Sequence, residues 1–330
     1  MSAMKPVMKC TFHLFGVAGE PSLICPESIA LFWVLNKHAK DTTQYEVVFS
    51  NNTDLSPVRE LPLLVVSEGN DDGSRQSLAG FTDIIQYLIE NDHIEGATSM
   101  SLDAIAALQF LSTDFKCMTL YQLYLNKSGY TKYTRKQFSK LLYWPAWYTT
   151  PLQIRSTVRD LCNETLQLEY LPIDEEELQE LSSSKEEEAI TLESELAQSK
   201  SLQLSQMTKR NKLDELKSFK HQLQYCNKLG ELLQSWQDLT HDIQVDSTVL
   251  QILEIYYIAN LYIQITLPDN DSILKCLKQN LKENEVTEIV QKSHTYSTID
   301  NKLTIREPTF TEQGNITMSV YHKLKSYTSY

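Results

Sequence analysis

The sequence predicts an α/β domain followed by an all-helical domain. In roughly the first ninety residues, strand and helix candidates alternate in the order strand, helix, strand, strand, helix, which is typical of helices layered on a small sheet. From about Ser101 onward, strand patterns largely disappear and apolar residues recur every three or four positions, which indicates helices. We therefore predict an α/β domain over residues 1–95 and an all-helical domain over residues 96–330.

The elements of the first domain follow from local patterns. Residues 9–15, 45–49 and 63–66 are short strand candidates, and the unbroken apolar run of the third suits burial on both faces. Pro26 suits the first turn of a helix, where its missing N–H costs nothing, and the apolar residues after it predict a well-buried helix. Four apolar residues at helical spacing indicate a second helix: Phe81, Ile84, Ile85 and Leu88.

Three apolar stripes in the second domain have helical spacing. They are Ile105, Leu108, Leu111, Phe115 and Met118; then Ile154, Val158 and Leu161; then Leu216, Phe219, Leu223, Cys226, Leu229, Leu233 and Trp236. The long third stripe could form a coiled-coil seam, but among other helices an ordinary bundle helix is favoured. We therefore expect all three stripes to face the core of a helical bundle.

Residues 249–267 have about the length of a membrane span, but polar residues interrupt them. Placing Glu254 in hydrocarbon costs on the order of a few kcal/mol, and the other interruptions, Gln251, Asn260 and Gln264, fall on opposite sides of the helix. A buried core helix is therefore favoured over a span, and a helix resting on a membrane stays open.

Composition excludes some functions. The formal charge of −13 and the pI near 5.1 argue against nucleic acid, whose phosphates need a basic surface, and against simple adsorption to anionic lipid. The six cysteines are far apart and no signal-peptide pattern precedes them, so we expect reduced thiols on the cytosolic side. The start of the chain also lacks the pattern of a matrix-targeting presequence.

The stretch at about 172–200 is the most biased in composition. Within residues 174–195, ten acidic residues accompany a single base, Lys185. One interpretation is a solvated, partly flexible insertion, since so few large apolar groups struggle to repay the entropy of ordering. The other is a docking strip for a basic partner, for which Glu186, Glu187 and Glu188 are the candidate contacts.

Leu61-Pro62 directly precedes the third strand candidate, where a proline could occupy a cis turn. With the domain order, this resembles the glutathione transferases, whose N-terminal domain is thioredoxin-like and keeps a cis-proline at this place. That resemblance implies an active residue in the loop of residues 16–25, so that Ser22 and Cys25 are the candidates. Near a helix N-terminus, Cys25 could have a lowered pKa.

The second helix, however, lacks the groups that hold glutathione in that family. Glutathione-binding transferases place an acidic residue and a Ser or Thr at its start, and this chain has Gly80-Phe81 there, although Ile84 and Tyr87-Leu88 keep the family frame. A glycine and a phenylalanine cannot bind an ammonium and a carboxylate. No HxxxH, GxxxxGK[ST], GxGxxG or GxSxG pattern occurs either, so we expect no enzyme, metal or cofactor.

Five stretches resemble the metaxin-like subunit of the fungal mitochondrial sorting and assembly machinery. They occur in the family's order and are FSNNTDLS at 49–56, YTKYTRKQFSKLLYWPAWYTTPLQIRS at 130–156, LAQSK at 196–200, IANLYIQITLPD at 258–269 and EQGNITMSVY at 312–321. The resemblance implies a non-catalytic subunit, peripheral on the cytosolic face of the mitochondrial outer membrane. It implies a role in the insertion and release of β-barrel proteins.

The same resemblance implies three partners. These are the β-barrel channel subunit, a second metaxin-like subunit, and the central receptor of the outer-membrane import translocase. A candidate contact surface is an aromatic group around Pro145, which should end or kink the preceding helix: Tyr143, Trp144, Trp147 and Tyr148. Buried Trp and Tyr are typical interface anchors, although these residues could equally fill the domain core.

Two alternatives to this function stay open. One is a glutathione-dependent enzyme that uses Ser22 or Cys25. The other is a soluble adaptor of the same fold, of the kind found in translation and tRNA-charging complexes. Co-fractionation with the outer membrane separates that adaptor from an assembly subunit.

Overall fold

The computed structural model describes residues 8–40, 42–68, 75–144, 146–166, 200–242, 246–268, 270–298 and 302–314. Over these residues a mixed sheet with helices comes first and a helical region follows, which confirms the predicted fold class. The acidic stretch at about 172–200 lies almost wholly outside the described residues.

The N-terminal part builds a mixed sheet in the order β5-β4-β1-β3. Its elements are β1 (Met8–Val17), β2 (Glu20–Pro21), α1 (Pro26–His38), β3 (Tyr45–Ser50), β4 (Leu63–Glu68), β5 (Arg75–Ala79) and α2 (Phe81–Glu90). Strand β1 runs parallel to β3 and antiparallel to β4, and the short β2 pairs with its end. Strand β5 was not predicted, because its sequence RQSLA carries only two apolar residues.

Several local predictions for this part are confirmed. Pro26 occupies the first turn of α1, and most of α1 is buried. The peptide bond between Leu61 and Pro62 is cis and enters β4. Phe81 and its three partners on α2 are all buried. Local spacing was therefore sufficient to orient both helices toward the core.

A helical part follows, and within the described residues a regular strand returns only after the last helix. Its helices are α3 (Leu102–Phe110), α4 (Lys116–Leu120), α5 (Lys127–Gly129), α6 (Arg135–Leu141), α7 (Ala146–Leu166), α8 (Lys200–Asp242), α9 (Ser247–Thr266), α10 (Asp271–Asn280) and α11 (Glu283–Ser297). Turns of π-helix at Leu111–Phe115, Tyr121–Leu125 and Tyr130–Thr134 interrupt the run from α3 to α6.

Helix α9 is the buried core helix that the sequence predicted. It packs against α1, α3, α4 and α11. Two of its polar residues are satisfied internally, because Asn260 accepts a hydrogen bond from Thr119 at 2.8 Å and Gln264 accepts one from Tyr225 at 2.7 Å. Glu254 forms an ion pair with Lys292 of α11. Among the described helices, none combines the length and the apolar character that a bilayer crossing needs.

After the last helix the chain returns to the sheet through a short strand that the sequence did not predict. Strand β6 (Thr304–Arg306) pairs in parallel with β3. The Arg306 guanidinium forms two hydrogen bonds of 2.8 Å with the Glu312 carboxylate and an ion pair of 3.1 Å with Glu46 of β3. Three residues of strand are too short a pattern to recognise in a sequence, so this element was missed.

The third predicted stripe is buried over only half of its length. On α8, Leu229, Leu233 and Trp236 are buried, as expected of a bundle helix. Leu216, Phe219 and Leu223, which precede them on the same stripe, are exposed. Ile105 and Leu161 are also exposed, at the ends of their stripes. Spacing therefore identified the apolar side of each helix, but not how far along the helix its packing partners extend.

The contact between Glu312 and Arg306 predicts that the packing of residues 302–314 against β3 is sensitive to acid. The hydrogen bonds from Arg306 lower the pKa of Glu312 from 4.5 to about 2. A carboxylate with a depressed pKa contributes stability above its unfolded pKa, and this is lost as the pH falls from 4.5 through about 2. We expect the free energy of unfolding, measured with urea at several pH values, to fall over that range.

Glu312→Gln should remove this part of the pH dependence, and Glu307→Gln, a neighbouring exposed residue, should leave it unchanged. Burial also lowers the pKa of His13, whose ring lies 4.0 Å from Glu312, so its protonation destabilises the fold as the pH falls below 6.5. The difference between the two variants isolates Glu312. Identical pH profiles for Glu312→Gln and the unaltered chain would contradict the prediction.

Candidate functional site

The loop that would hold a transferase nucleophile contains a thiol with a raised pKa. Cys25 occupies the N-cap position of α1, and its Sγ donates to the carbonyl of Leu61 at 3.5 Å, beside the cis peptide bond. Burial, together with the smaller effect of the nearby Glu27 carboxylate, raises the pKa of the Cys25 thiol to about 11. The expectation of a lowered pKa was therefore wrong, because desolvation and an adjacent acid outweigh the helix N-terminus.

The other candidate, Ser22, serves the turn that leads into α1. Its hydroxyl accepts a hydrogen bond from the backbone N–H of Ile24 at 3.4 Å, and its own N–H donates to Phe15 at 2.8 Å. Both contacts are local. They hold the loop between β2 and α1, and they bring no general base to the hydroxyl.

The charged groups next to this loop are engaged with one another. The Glu27 carboxylate of α1 lies 2.8 Å from the Lys116 ammonium of α4, and the Tyr256 hydroxyl of α9 donates to it at 3.4 Å. Glu27 is almost fully buried, and its attraction raises the pKa of Lys116 against the opposing effect of desolvation. One ion pair and one hydrogen bond to Glu27 therefore join three helices.

The first two residues at the start of α2, Gly80 and Phe81, carry no polar side chain. Gly80 has a φ of 89° in the left-handed region, so the backbone at the N-cap of α2 favours glycine. The next residue, Phe81, is fully buried, and its ring centroid lies 4.3 Å from that of Tyr256. The position at which the resemblance to transferases would put a glutathione-binding side chain thus carries an aromatic core residue.

The predicted aromatic group lies together at the turn between α6 and α7. Trp144 is 72% exposed, whereas Tyr143, Trp147 and Tyr148 are half-buried. The rings of Trp147 and Tyr148 meet edge to face at 6.1 Å, and the Arg135 guanidinium lies 5.7 Å from the Tyr148 ring. Helix α6 ends at Leu141, as a nearby proline predicts, although Pro145 itself lies outside the described residues.

A junction that sequence reasoning missed is centred on Asn51, in the loop after β3. Its side-chain N–H donates to the carbonyl of Leu141 at the end of α6, and its Oδ1 accepts from the N–H of Gly314 at 2.8 Å. Nearby, Ser50 donates to the carbonyl of Glu312 at 2.6 Å. The stretches 49–56, 130–156 and 312–321, which carried the family resemblance, therefore meet at one side chain.

The second predicted contact, Glu186, Glu187 and Glu188, lies outside the described residues. It stays a prediction. Within the part of the chain that the structure describes, no group of three or more His, Cys, Asp or Glu side chains is arranged to hold a metal ion. The described candidate site thus consists of the hydrogen bonds around Asn51 and the aromatic turn at Trp144.

Comparison with protein-family models gives two adjacent matches. Residues 28–155 match the model Tom37, described as outer mitochondrial membrane transport complex protein. Residues 174–327 match the model of the Tom37 C-terminal domain. A search of curated proteins gives no match. The junction at Asn51 joins the two matched parts, since Leu141 belongs to the first and Gly314 to the second.

The internal ion pair predicts a large cost for removing one partner. Lys116→Met leaves the Glu27 carboxylate buried without its cation, so we expect a loss of about 3 kcal/mol in the free energy of unfolding. The double variant Glu27→Gln with Lys116→Met should recover part of this loss, because no unpaired charge remains. Lys228→Met removes an exposed pair with Glu231 and should cost less than about 1 kcal/mol in the same urea titrations. Equal costs for Lys116→Met and Lys228→Met would contradict this account.

Proposed function

Because the chain belongs to the Tom37 family of outer mitochondrial membrane transport complex proteins, we propose that it is a non-catalytic subunit of the β-barrel sorting and assembly machinery. In this role it supports the insertion and release of β-barrel proteins at the outer membrane. The observation that carries the proposal is the pair of family matches, which together span both structural parts of the chain.

The absence of catalysis is part of the proposal, and the transferase-like site supports it. A thiol whose pKa is raised to about 11 is almost entirely protonated at neutral pH and is a weak nucleophile. The carboxylate of Glu27 is paired with Lys116, and Phe81 is fully buried against Tyr256. The groups that could bind or activate glutathione thus take part in core contacts.

The proposed partners are the β-barrel channel subunit, a second metaxin-like subunit and the central receptor of the import translocase. We place the chain at the cytosolic face of the membrane. The turn between α6 and α7 is the proposed protein contact, because Trp144 offers an exposed indole three residues before the packed pair Trp147 and Tyr148. Trp and Tyr are enriched among the residues that dominate binding at protein interfaces.

Depletion of the chain from mitochondria tests the proposed function. Newly made β-barrel precursors should still reach the organelle but accumulate unassembled, because the subunit acts at insertion and release. Assembly is measured by native electrophoresis of a radiolabelled β-barrel protein after import. A matrix-targeted precursor, which needs no β-barrel insertion, is the control. Normal β-barrel assembly in depleted organelles would contradict the proposal.

Trp144→Ala tests the proposed contact. We expect the substitution to weaken binding of the chain to its partner subunits by about 2 kcal/mol, which is roughly thirtyfold. Recovery of the partners with the tagged chain from detergent-solubilised mitochondria measures the effect. The thermal midpoint of the isolated chain should not change, since Trp144 is largely exposed.

Leu102→Ala is the matched control for this experiment. Leu102 is an exposed apolar residue of α3, outside the aromatic turn, and its replacement should leave partner recovery unchanged. Trp147→Ala is less informative, because Trp147 is half-buried and packs on Tyr148. Full partner recovery with Trp144→Ala would remove the turn from the proposed interface.

A further inference from the structure

Residues 216–223 of α8 present an apolar strip to solvent. Leu216 is 70% exposed, Phe219 is 66% exposed and Leu223 is 53% exposed. These residues lie three and four positions apart, so they share one side of the helix. Exposed Leu and Phe occur singly on most surfaces, but three of them in consecutive turns form a continuous strip.

The strip begins where the packing of α8 ends. Tyr225 stacks on Tyr121 with ring centroids 5.4 Å apart and donates to Gln264 at 2.7 Å, and Trp236 stacks on Tyr257 at 5.1 Å. Helix α8 has 43 residues and is therefore roughly 65 Å long. Its C-terminal half is covered by the bundle, and the same apolar stripe continues beyond that contact.

The sequence of α8 is basic around this strip, although the chain as a whole is acidic. Residues 209–220 contain five bases and two acids, in a chain of formal charge −13. The bases are Lys209, Arg210, Lys212, Lys217 and Lys220, and the acids are Asp214 and Glu215. Salt screens charges beyond about 8 to 10 Å. For an anionic group close to the helix, this local excess of bases therefore matters more than the net charge of the whole chain.

We propose that residues 209–223 of α8 form a membrane-docking element that lies on an anionic lipid surface. The inference rests on the proposed function, which places the chain at a membrane. A basic helix with exposed Leu and Phe is suited to the interface, where the apolar groups enter the acyl boundary and the bases meet lipid phosphates. Lys220 lies beside Phe219 and one turn from Leu216, so both kinds of group meet one surface.

The negative net charge does not oppose this docking mode. It argues against adsorption by charge alone, which needs clustered bases. The cluster exists within one helix, and the adjacent Leu216, Phe219 and Leu223 add burial of apolar surface to the electrostatic attraction. Docking therefore requires both components, and each can be removed separately.

The experiment uses the full-length chain and two kinds of vesicle, phosphatidylcholine alone and phosphatidylcholine with phosphatidylserine. We expect flotation with the anionic vesicles, weakening as salt is added, and little flotation with the neutral ones. The double substitution Leu216→Glu and Phe219→Glu should lower the bound fraction about tenfold, because acidic groups replace the inserted apolar ones. Circular dichroism and the thermal midpoint verify that the variant is folded.

Leu102→Glu is the matched control, since Leu102 is 80% exposed but lies on α3. It should float with anionic vesicles as the unaltered chain does. The proposal is overturned if the unaltered chain does not float with anionic vesicles, or if the double variant floats equally well. Loss of partner subunits from the double variant, without any vesicle binding by the unaltered chain, would identify a protein interface and also overturn it.

The vesicles contain no partner protein, so failure of the lipid contact can be distinguished from failure of the proposed function. Absence of vesicle binding, with normal partner recovery and normal β-barrel assembly, counts against the lipid contact alone. Retained vesicle binding, with β-barrel assembly that does not depend on the chain, counts against the proposed function alone.

Discussion

The burial of helix α9 is the constraint on which the rest of the structure depends. A largely apolar helix of 20 residues must be covered on all sides, and α1, α3, α4 and α11 cover it. Its polar side chains have partners: Asn260 pairs with Thr119, Gln264 with Tyr225 and Glu254 with Lys292. The packing of α1 on α9 therefore joins the sheet part of the chain to its helical part.

That packing also accounts for the transferase-like site. Tyr256 of α9 contacts both the Glu27 carboxylate of α1 and the Phe81 ring of α2. Both contacts belong to the core between the sheet part and the helical part of the chain. The Leu61-Pro62 peptide bond is cis, as the resemblance to transferases predicts, and Glu27 and Phe81 make interior contacts.

What remains available for function is surface. The aromatic turn at Trp144 lies at the end of α6, close in the chain to Leu141, whose carbonyl is held by Asn51. Asn51 also accepts a hydrogen bond from the backbone N–H of Gly314. The turn is therefore supported by the segment around Gly314 as well as by α6. A recognition residue on a supported turn loses little conformational entropy on binding, which favours tight contacts.

The exposed apolar strip on α8 is a second surface of a different kind. Its Leu216, Phe219 and Leu223 continue the stripe that the bundle covers elsewhere. We assign the first surface to a protein partner and the second to lipid, because Trp144 is an exposed indole in a turn and the strip on α8 lies among several lysines in the sequence.

The sequence by itself determined the fold class, the cis turn at Leu61-Pro62, the apolar side of α2, the burial of α9 and the position of the aromatic group in the chain. Each of these depends on local spacing or on a single residue type. Only the tertiary structure decided that the pKa of Cys25 is raised, that Glu27 pairs with Lys116, that Asn51 joins three distant stretches and that β6 extends the sheet. Those features depend on contacts between residues far apart in the chain, and local periodicity records which side of a helix is apolar but not which neighbour reaches it.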